Sequence, residues 1–380
     1  EDSAAGGTVI DTSTLTPGVS GGASLTLYSN TRDRFNNFVA NVASTWSLVD
    51  PTAGVIGGNL VPSDDTKNAV FTGNLVGTAV VQAVGDFTDT TGLVTVVPGP
   101  VSASVSTVGV DSSSVVVSSG ATPITVTVTV KDAAGNVIPG ATASIGVSGT
   151  NNTTSPSSAT TDVNGVAVFT VSSTKAEAKT VTATVNEVGI TSSTPGVTFT
   201  HGVASQLSIA TQPSTTATAG VSFIEQPVLN VLDSFGNLVT SDNSTVITAV
   251  RNSATGSQTL FGTLTATASG GVATFSNLSY QEALTIKVDF TSGSLTLATS
   301  NNVAVAPNVP AVVTYNQQPA STGTVDATLT AQPIVKVVDA YGNNVADGTN
   351  VTISLASGTG ALRGTLTKTT TSGVATFTDV

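Results

Sequence analysis

Residues 124–136 read Ile-Thr-Val-Thr-Val-Thr-Val followed by Lys-Asp-Ala-Ala-Gly-Asn. The alternation places branched aliphatic side chains on one face and threonines on the other, which is the pattern of a β-strand with one buried face. In the turn that follows, Asp132 can accept backbone N–H groups two or three residues further on, and Gly135 permits a positive φ. The stretch therefore predicts a half-buried strand that ends in a tight turn organised by an aspartate.

The same turn occurs four times along the 380 residues, and its aspartates lie 99, 101 and 106 residues apart. They are Asp33, Asp132, Asp233 and Asp339. In the first copy Asn36 stands where the others have glycine, and asparagine is the next most tolerant residue of left-handed backbone geometry. Such a period indicates one β-domain of about 100 residues copied head to tail, with the first copy the most divergent.

A second mark follows each turn, namely a short strand that ends in phenylalanine 37 to 42 residues after the aspartate. The four phenylalanines are Phe71, Phe169, Phe275 and Phe377. Around the third one, Ala273 and Phe275 alternate with Thr274, which assigns alanine and phenylalanine to the interior. We expect each phenylalanine to fill the core of its own domain.

Proline and glycine interrupt the strands at 97–100, 200–203 and 306–310. The sequence thus predicts four domains: repeat 1 (1–98, with an N-terminal extended segment), repeat 2 (99–202), repeat 3 (203–308) and repeat 4 (309–380). Because short linkers that contain proline restrict hinge motion, we expect a semi-rigid rod. Repeat 4 stops three residues after its phenylalanine whereas repeat 3 continues for 31, so we expect repeat 4 to be incomplete and the native chain to continue.

Composition limits the partners. Acidic residues outnumber basic ones by 23 to 11, and the formal net charge of −12 argues against nucleic acid or an anionic membrane as partner. The lack of cysteine excludes a disulfide framework and a thiolate metal site. No run approaches the roughly 18 apolar residues of a membrane span. The lack of methionine, even at position 1, favours a mature secreted product whose leader has been removed.

Repeat 2 resembles the bacterial immunoglobulin-like (Ig-like) domains of the invasin and intimin group (group 1), through residues 130–140, 161–169 and 174–183. Repeats 3 and 4 are similar through Gln226-Pro227 with 233–237 and through Gln332-Pro333 with 339–343. In repeat 1, residues 45–49 and 71–79 look more like a related group of bacterial Ig-like domains. The resemblance covers about three quarters of the chain and implies an all-β fold of tandem β-sandwiches.

The resemblance also implies a non-enzymatic role on the bacterial cell surface, with no catalytic or cofactor-binding residue to carry over. We expect a structural protein, a rod or lattice-forming building block of a surface layer (S-layer), filamentous appendage or adhesin stalk, which associates with itself or with neighbouring surface proteins. Two alternatives stay open. One is an adhesin that binds a glycan or a host receptor, and the other is the spacer region of a larger secreted enzyme.

Several residue patterns are candidates for catalytic or crosslinking chemistry. Residues 18–22 satisfy the pattern of a hydrolase nucleophile elbow, but that elbow needs a buried strand before it and a helix after it. His201 is the only histidine and lies in a linker, so it is interpreted as a solvated or turn-capping residue. Lys131 and Lys336 lie near the repeated aspartates, as in domains with lysine–asparagine crosslinks, yet Lys131 falls on the outward face of its strand. We therefore predict no catalytic residue.

Calcium is the more serious cofactor hypothesis, because oxygen ligands at domain joints stiffen many extracellular rods. Its candidate ligands are Asp64 with Asp65, Asp86 with Asp89, and Asp132 with Asp162. These aspartates lack EF-hand spacing and are interpreted as solvated turn residues, so the prediction is no metal site and no cofactor.

Two further hypotheses concern the first repeat. Trp46, the only tryptophan, and Tyr28 are candidates for a sugar-stacking platform, although a lone tryptophan in an Ig-like strand is usually part of the core. Residues 7–15, flanked by glycine and proline, are a candidate donor strand that would extend a sheet of a neighbouring subunit. Pairing of residues 8–15 within their own domain would exclude the second hypothesis.

Overall fold

A computed structural model describes residues 1–16 and 23–380 of the chain. It divides into two compact units, Glu1–Thr200 and His201–Val380. Over the described ranges the regular structure consists of strands and one 3₁₀ turn at Gly57–Asn59, without an α-helix. The prediction of an all-β chain is therefore confirmed. No helix among these residues is long and apolar enough to cross a membrane.

Repeat 1 forms two sheets and a separate hairpin. Its strands are β1 (Thr12–Leu15), β2 (Ser24–Tyr28), β3 (Asn30–Arg32), β4 (Phe38–Asn41), β5 (Thr45–Val49), β6 (Leu60–Pro62), β7 (Asn68–Thr72), β8 (Gly77–Val84) and β9 (Thr88–Val96). One sheet has the order β1-β9-β8-β5, the other has the order β2-β7-β6, and β3 pairs with β4.

The N-terminal segment belongs to its own domain, so the donor-strand hypothesis is wrong. Strand β1 runs parallel to β9, with Thr12 opposite Leu93 and Leu15 opposite Val96. Just before β1, the carbonyl of Ile10 accepts a hydrogen bond of 2.8 Å from the N–H of Gly92. A Cβ on Gly92 would collide with the carbonyl of Asp11, so the missing side chain permits this approach. The backbone groups of the segment are thus engaged inside repeat 1.

Repeat 2 forms two antiparallel sheets with parallel pairing at one edge. Its strands are β10 (Thr107–Val110), β11 (Ser114–Val116), β12 (Ile124–Thr129), β13 (Thr142–Val147), β14 (Asn152–Ser155), β15 (Ala159–Thr160), β16 (Val166–Ser173), β17 (Ala178–Val185), β18 (Val188–Gly189) and β19 (Gly196–Thr200). The sheets have the orders β10-β12-β16-β14 and β11-β19-β17-β13-β15, and β18 pairs with β17.

The second unit repeats this pattern of short ladders. The strands of repeat 3 are β20 (Gln206–Thr211), β21 (Thr216–Thr218), β22 (Val228–Leu232), β23 (Val246–Arg251), β24 (Thr265–Thr267), β25 (Val272–Thr274), β26 (Thr285–Ile286), β27 (Val288–Thr291), β28 (Ala298–Thr299) and β29 (Val303–Ala306). They form sheets with the orders β20-β22-β25, β21-β29-β26 and β24-β23-β27-β28.

Repeat 4 carries fewer strands. They are β30 (Pro310–Gln317), β31 (Ile334–Asp339), β32 (Asn350–Thr352), β33 (Thr367–Thr369) and β34 (Val374–Thr376). One sheet has the order β30-β31-β34, and β32 pairs with β33. Strand β30 is exposed along its whole length, whereas β31 alternates between half-buried and buried residues.

The buried apolar residues form four separate clusters, one within each repeat. Each contains one of the four phenylalanines, all of which are 2% exposed or less. In β12 and just after it, Val126, Val128 and Val130 are fully buried, and the intervening threonines are half-buried. The predicted strand phase and the predicted core phenylalanines are confirmed. The boundaries at 98, 202 and 308 stay a prediction.

Candidate functional site at the repeated turn

The repeated aspartate is a buried hub of hydrogen bonds. In repeat 2, one carboxylate oxygen of Asp132 accepts the backbone N–H groups of Ala134 at 2.9 Å and Asn136 at 2.8 Å. The other oxygen accepts the Asn136 side-chain amide at 2.8 Å and the N–H of Gly99, in the linker before the repeat, at 2.8 Å. Asp132 is only 1% exposed. A single carboxylate therefore closes the turn and fastens the incoming linker to it.

The same arrangement occurs in the second unit. Asp339 accepts the N–H groups of Tyr341 and Asn343, the Asn343 amide at 2.8 Å, and the linker N–H of Asn308 at 2.9 Å. Asp233 binds its own turn in the same way and accepts the linker N–H of Gly202 at 2.8 Å. Both aspartates are 1% exposed. The four-bond hub is thus common to the three repeats that follow a linker.

In repeat 1 the bonds of the aspartate stay within its own turn. Asp33 accepts the N–H groups of Phe35 and Asn37 and the Asn37 amide at 2.9 Å. Its carboxylate is exposed and, in the part of the chain that the structure describes, accepts no fourth bond. The left-handed residue is Asn36 at φ 69°, and in repeat 2 it is Gly135 at φ 90°, as the sequence predicted.

Hydrogen bonding lowers the pKa of the buried carboxyl groups of Asp233 and Asp339. For Asp339 the largest influence is burial, which raises the pKa, but the donors from Asn343, Asn308 and Tyr341 outweigh it and hold the pKa below its usual range. For Asp233 burial is again the largest influence, and the Gly202 N–H and Asn237 donors lower the pKa overall. In the second unit each hub is therefore a carboxylate whose negative charge is favoured by the N–H groups that face it.

The asparagine of the turn reaches back into the preceding repeat. The Asn136 side-chain oxygen accepts the N–H of Val76 at 2.9 Å, and its amide donates to the carbonyl of Asn74 at 2.9 Å. Both partners lie just after β7, in repeat 1. The side-chain amide thus bonds to one backbone N–H and one backbone carbonyl, as the backbone of a neighbouring strand would. It also remains hydrogen-bonded to Asp132.

Repeats 3 and 4 are joined by the same pair of bonds. Asn343 accepts the N–H of Ala283 at 2.8 Å and donates to the carbonyl of Gln281 at 2.7 Å. The partners lie 60 and 62 residues before the asparagine, as Val76 and Asn74 do before Asn136. We name this element, the aspartate hub with its asparagine, the joint turn. It connects consecutive repeats within each compact unit.

The joint of the second unit has two additional contacts. Asn308 in the linker donates its side-chain amide to the carbonyl of Ala219 at 2.9 Å. Tyr341 of the joint turn packs against Gly220, where a Cβ would collide with the phenol ring. Gly220 has φ 74°, a left-handed conformation that favours glycine, and its lack of a side chain leaves room for the Tyr341 ring.

Comparison with known families agrees with this architecture. The family model of the bacterial Ig-like domain (group 1) matches residues 105–200. These residues are a group 1 bacterial Ig-like domain. The match falls on the repeat for which the sequence motifs are strongest, and with the sheets of the other repeats the chain is an all-β array of Ig-like sandwiches in tandem. No curated protein sequence matches the chain.

Solved structures of low sequence identity resemble the chain. FdeC, an adhesin of Escherichia coli, is 21% identical, with 74% of this chain and 93% of that chain covered and a TM-score of 0.39. InvD of Yersinia pseudotuberculosis is 20% identical, with coverages of 73% and 90% and a TM-score of 0.36. Invasin, a bacterial integrin-binding protein, is 15% identical, with coverages of 98% and 73% and a TM-score of 0.38.

The structure places the other candidate residues in turns and linkers. The ring Nδ1 of His201 lies 2.9 Å from the carbonyl oxygen of Gly202. Asp162 accepts the N–H groups of Asn164 and Val166, as a turn cap does. Asp65 accepts the Ser63 hydroxyl and the Lys67 N–H. The nucleophile-elbow pattern at 18–22 lies outside the described residues.

For the calcium hypothesis, the lone pairs of Asp132 already face four N–H donors. Over residues 1–16 and 23–380, no three acidic, histidine or cysteine side chains are grouped to hold a metal ion. The absence of a cofactor stays a prediction, and of the candidate ligands Asp65, Asp132 and Asp162 accept hydrogen bonds within turns.

A buried lysine was missed by the sequence analysis. Lys336 lies between the buried Val335 and Val337 and is half-buried. Lys179, by contrast, has a fully buried side chain, with Nζ 2.6 Å from Glu177 and 2.9 Å from the carbonyl oxygen of Thr150. Its ammonium also lies 5.9 Å from the centre of the Phe199 ring.

The alternation of residues in β17 could have predicted that Lys179 is buried. Strand β17 reads Ala-Lys-Thr-Val-Thr-Ala-Thr-Val, and Lys179 is in phase with the buried Val181, Ala183 and Val185. Its hydrogen bond holds the pKa of the Glu177 carboxyl below its usual range, with the Thr150 N–H as the next contribution.

Proposed function

We propose that this chain is a structural component of the bacterial cell surface, a stalk segment or lattice unit that sets distance and transmits load. The observation that supports it best is the joint turn. The same aspartate and asparagine bind the linker and the preceding repeat in both units, with equal offsets along the chain. Because the joint turn recurs between repeats in both units, we infer that its role is to hold consecutive repeats together.

The chemistry of the joint suits a load-bearing role. Its bonds involve backbone groups and a buried carboxyl group, which in Asp339 has a pKa below its usual range, and hydrogen bonds to charged groups are about twice as strong as those between neutral groups. Because each repeat has its own apolar cluster, deformation of one need not open the next. The net charge of −12 disfavours nonspecific association.

The group 1 Ig-like match supports an extracellular, cell-surface location and a non-enzymatic role. Under this proposal the partners are other copies of the chain or neighbouring surface proteins. The assembled form would be a surface layer, a filamentous appendage or an adhesin stalk. Electron microscopy of the purified chain, with and without a chelator, distinguishes ordered sheets or filaments from isolated molecules and tests for a metal requirement.

The joint itself can be tested by distance measurement. The chain has no cysteine, so two introduced cysteines are unique sites for spin labels. Thr26→Cys in β2 and Thr180→Cys in β17 are exposed positions in repeats 1 and 2. We expect a narrow distance distribution that broadens with Asn136→Ala and not with the matched variant Asn37→Ala. A broad distribution in the unsubstituted chain would reject a load-bearing joint.

A further inference from the structure

Repeat 1 contains a cleft that is lined by none of the joint-turn residues. Its volume is about 500 Å³, within the range of about 300 to 1,000 Å³ typical of ligand pockets. Strands of both sheets and the β3–β4 hairpin line it, and the turn between β8 and β9 contributes Gly85, Asp86 and Phe87. The cleft therefore lies wholly within the most divergent repeat.

Aromatic side chains line this cleft over an apolar base. Leu27 and Val81 are each 1% exposed. Trp46 is half-buried, and its indole N–H donates to the carbonyl of Thr66 at 2.8 Å, which fixes the ring. Tyr28 lies in the same lining. Phe87 is 82% exposed, so its place in the lining is not explained by core packing.

The polar lining offers both donors and acceptors. The hydroxyls of Ser29 and Ser44 lie 2.7 Å apart and can each donate or accept. The Arg32 guanidinium is paired with the Glu1 carboxylate, which neutralises it. Asp86 and Asp89 add two exposed carboxylates. The surface of the cleft thus mixes aromatic faces, neutral hydroxyls and a few acceptors.

This combination points to one class of ligand. An anion would meet the carboxylates of Asp86 and Asp89 on a protein of net charge −12. A cationic peptide would use the carboxylates but not the neutral hydroxyls. An uncharged saccharide uses all three, because its C–H faces stack on aromatic rings and its hydroxyls both donate and accept.

We propose that the cleft of repeat 1 binds an uncharged saccharide unit of a glycan. Trp46, Tyr28 and Phe87 provide the stacking surfaces, and Asp86 and Asp89 accept its hydroxyl groups. This gives the chain a recognition site in addition to its structural role, and the site does not depend on the joints.

A glycan array with uncharged, sialylated and amino-sugar glycans provides the screen for the full chain. The best uncharged oligosaccharide is then titrated while the fluorescence of Trp46, the only tryptophan, is recorded. We expect a saturable change in its emission. Phe87→Ser and Asp86→Ala are expected to weaken binding at least about tenfold, as central contacts of an interface do. Both positions are exposed, so neither change disturbs the core.

Phe35→Ser is the matched control, because Phe35 is a 68% exposed phenylalanine of the same repeat outside the cleft. It should leave the affinity unchanged. The proposal is overturned if no uncharged glycan binds, or if only sialylated glycans or a lysine-rich peptide produce the response. It is also overturned if both cleft variants bind as tightly as the control.

Discussion

Asn136→Ala removes the part of the joint turn that reaches repeat 1. It deletes the bonds to Val76 and Asn74 and the bond to Asp132. Asn37→Ala deletes only the bond to the aspartate, because in the described structure the Asn37 side chain makes no bond to another repeat. The difference between the two variants is therefore the pair of bonds between repeats. At about 0.5 to 1.5 kcal/mol each, these bonds stabilise the joint by roughly 1 to 3 kcal/mol.

Amide hydrogen exchange of Val76 measures the stability of the joint directly in the full chain, because the Val76 N–H is the donor to the Asn136 side chain. Since about 1.4 kcal/mol corresponds to a factor of ten, Asn136→Ala should accelerate this exchange roughly 5- to 150-fold. The N–H of Ala283, which makes the same bond to Asn343, is the internal control and should keep its rate.

Two results would refute the reasoning. The first is a Val76 exchange rate in Asn136→Ala within about twofold of that in Asn37→Ala, which would mean that the bonds contribute nothing in solution. The second is equal acceleration at Val76 and Ala283, which would indicate global destabilisation rather than an opened joint. Asn136→Asp adds a check, since it places a second carboxylate beside Asp132 and should open the joint at least as much as Asn136→Ala.

Three further outcomes are expected from the same structure. Lys179→Ala should be less stable than Lys179→Met by about 2 to 5 kcal/mol in denaturant unfolding, because only alanine leaves a cavity, and equal stability would show that the site is solvated. The hydrogen bonds that lower the pKa of Asp233 and Asp339 stabilise the second unit fully above about pH 4, and this contribution should be lost as the pH falls through their depressed folded-state values. In pH-dependent thermal unfolding, Asp339→Asn should flatten this dependence more than Asp33→Asn, and an unaltered profile would contradict the assignment. Gly220→Ala should destabilise the second unit more than Gly236→Ala, because both glycines have a positive φ but only Gly220 contacts Tyr341. Equal melting temperatures of the two variants would show that the contact with Tyr341 does not contribute to stability.

Much of the fold was predictable because the relevant forces act locally. The alternation of valine and threonine in β12 assigns the buried face without knowledge of any partner strand. The positive φ of Gly135 and Asn36 follows from the turn chemistry alone. The burial of Phe169 follows from its phase with alanine and valine in the same strand. Each of these inferences needs fewer than ten residues of context.

The joint and the cleft were not predictable in this way. The partners of Asn136 lie 60 and 62 residues earlier, and no local pattern marks the Val76 N–H as a donor to a side-chain amide or the Asn74 carbonyl as an acceptor from one. Trp46 and Tyr28 lie in different sheets, β5 and β2, and only the packing of those sheets brings both into one cleft. Long-range pairing of this kind depends on the arrangement of whole domains, which hydrophobic periodicity does not encode.

The turn of repeat 1 shows which function of the aspartate is the more basic one. Asp33 keeps all three bonds within its turn although it is exposed and, among the described residues, accepts no N–H from a linker. The aspartate is therefore required for the turn itself, and the joint uses a carboxylate oxygen and an asparagine that the turn has already positioned. Because that positioning costs no additional conformational entropy, each copied domain connects to the one before it through residues that already form its turn. It follows that loss of the asparagine should loosen a joint while the hairpin persists, whereas loss of the aspartate should disrupt both.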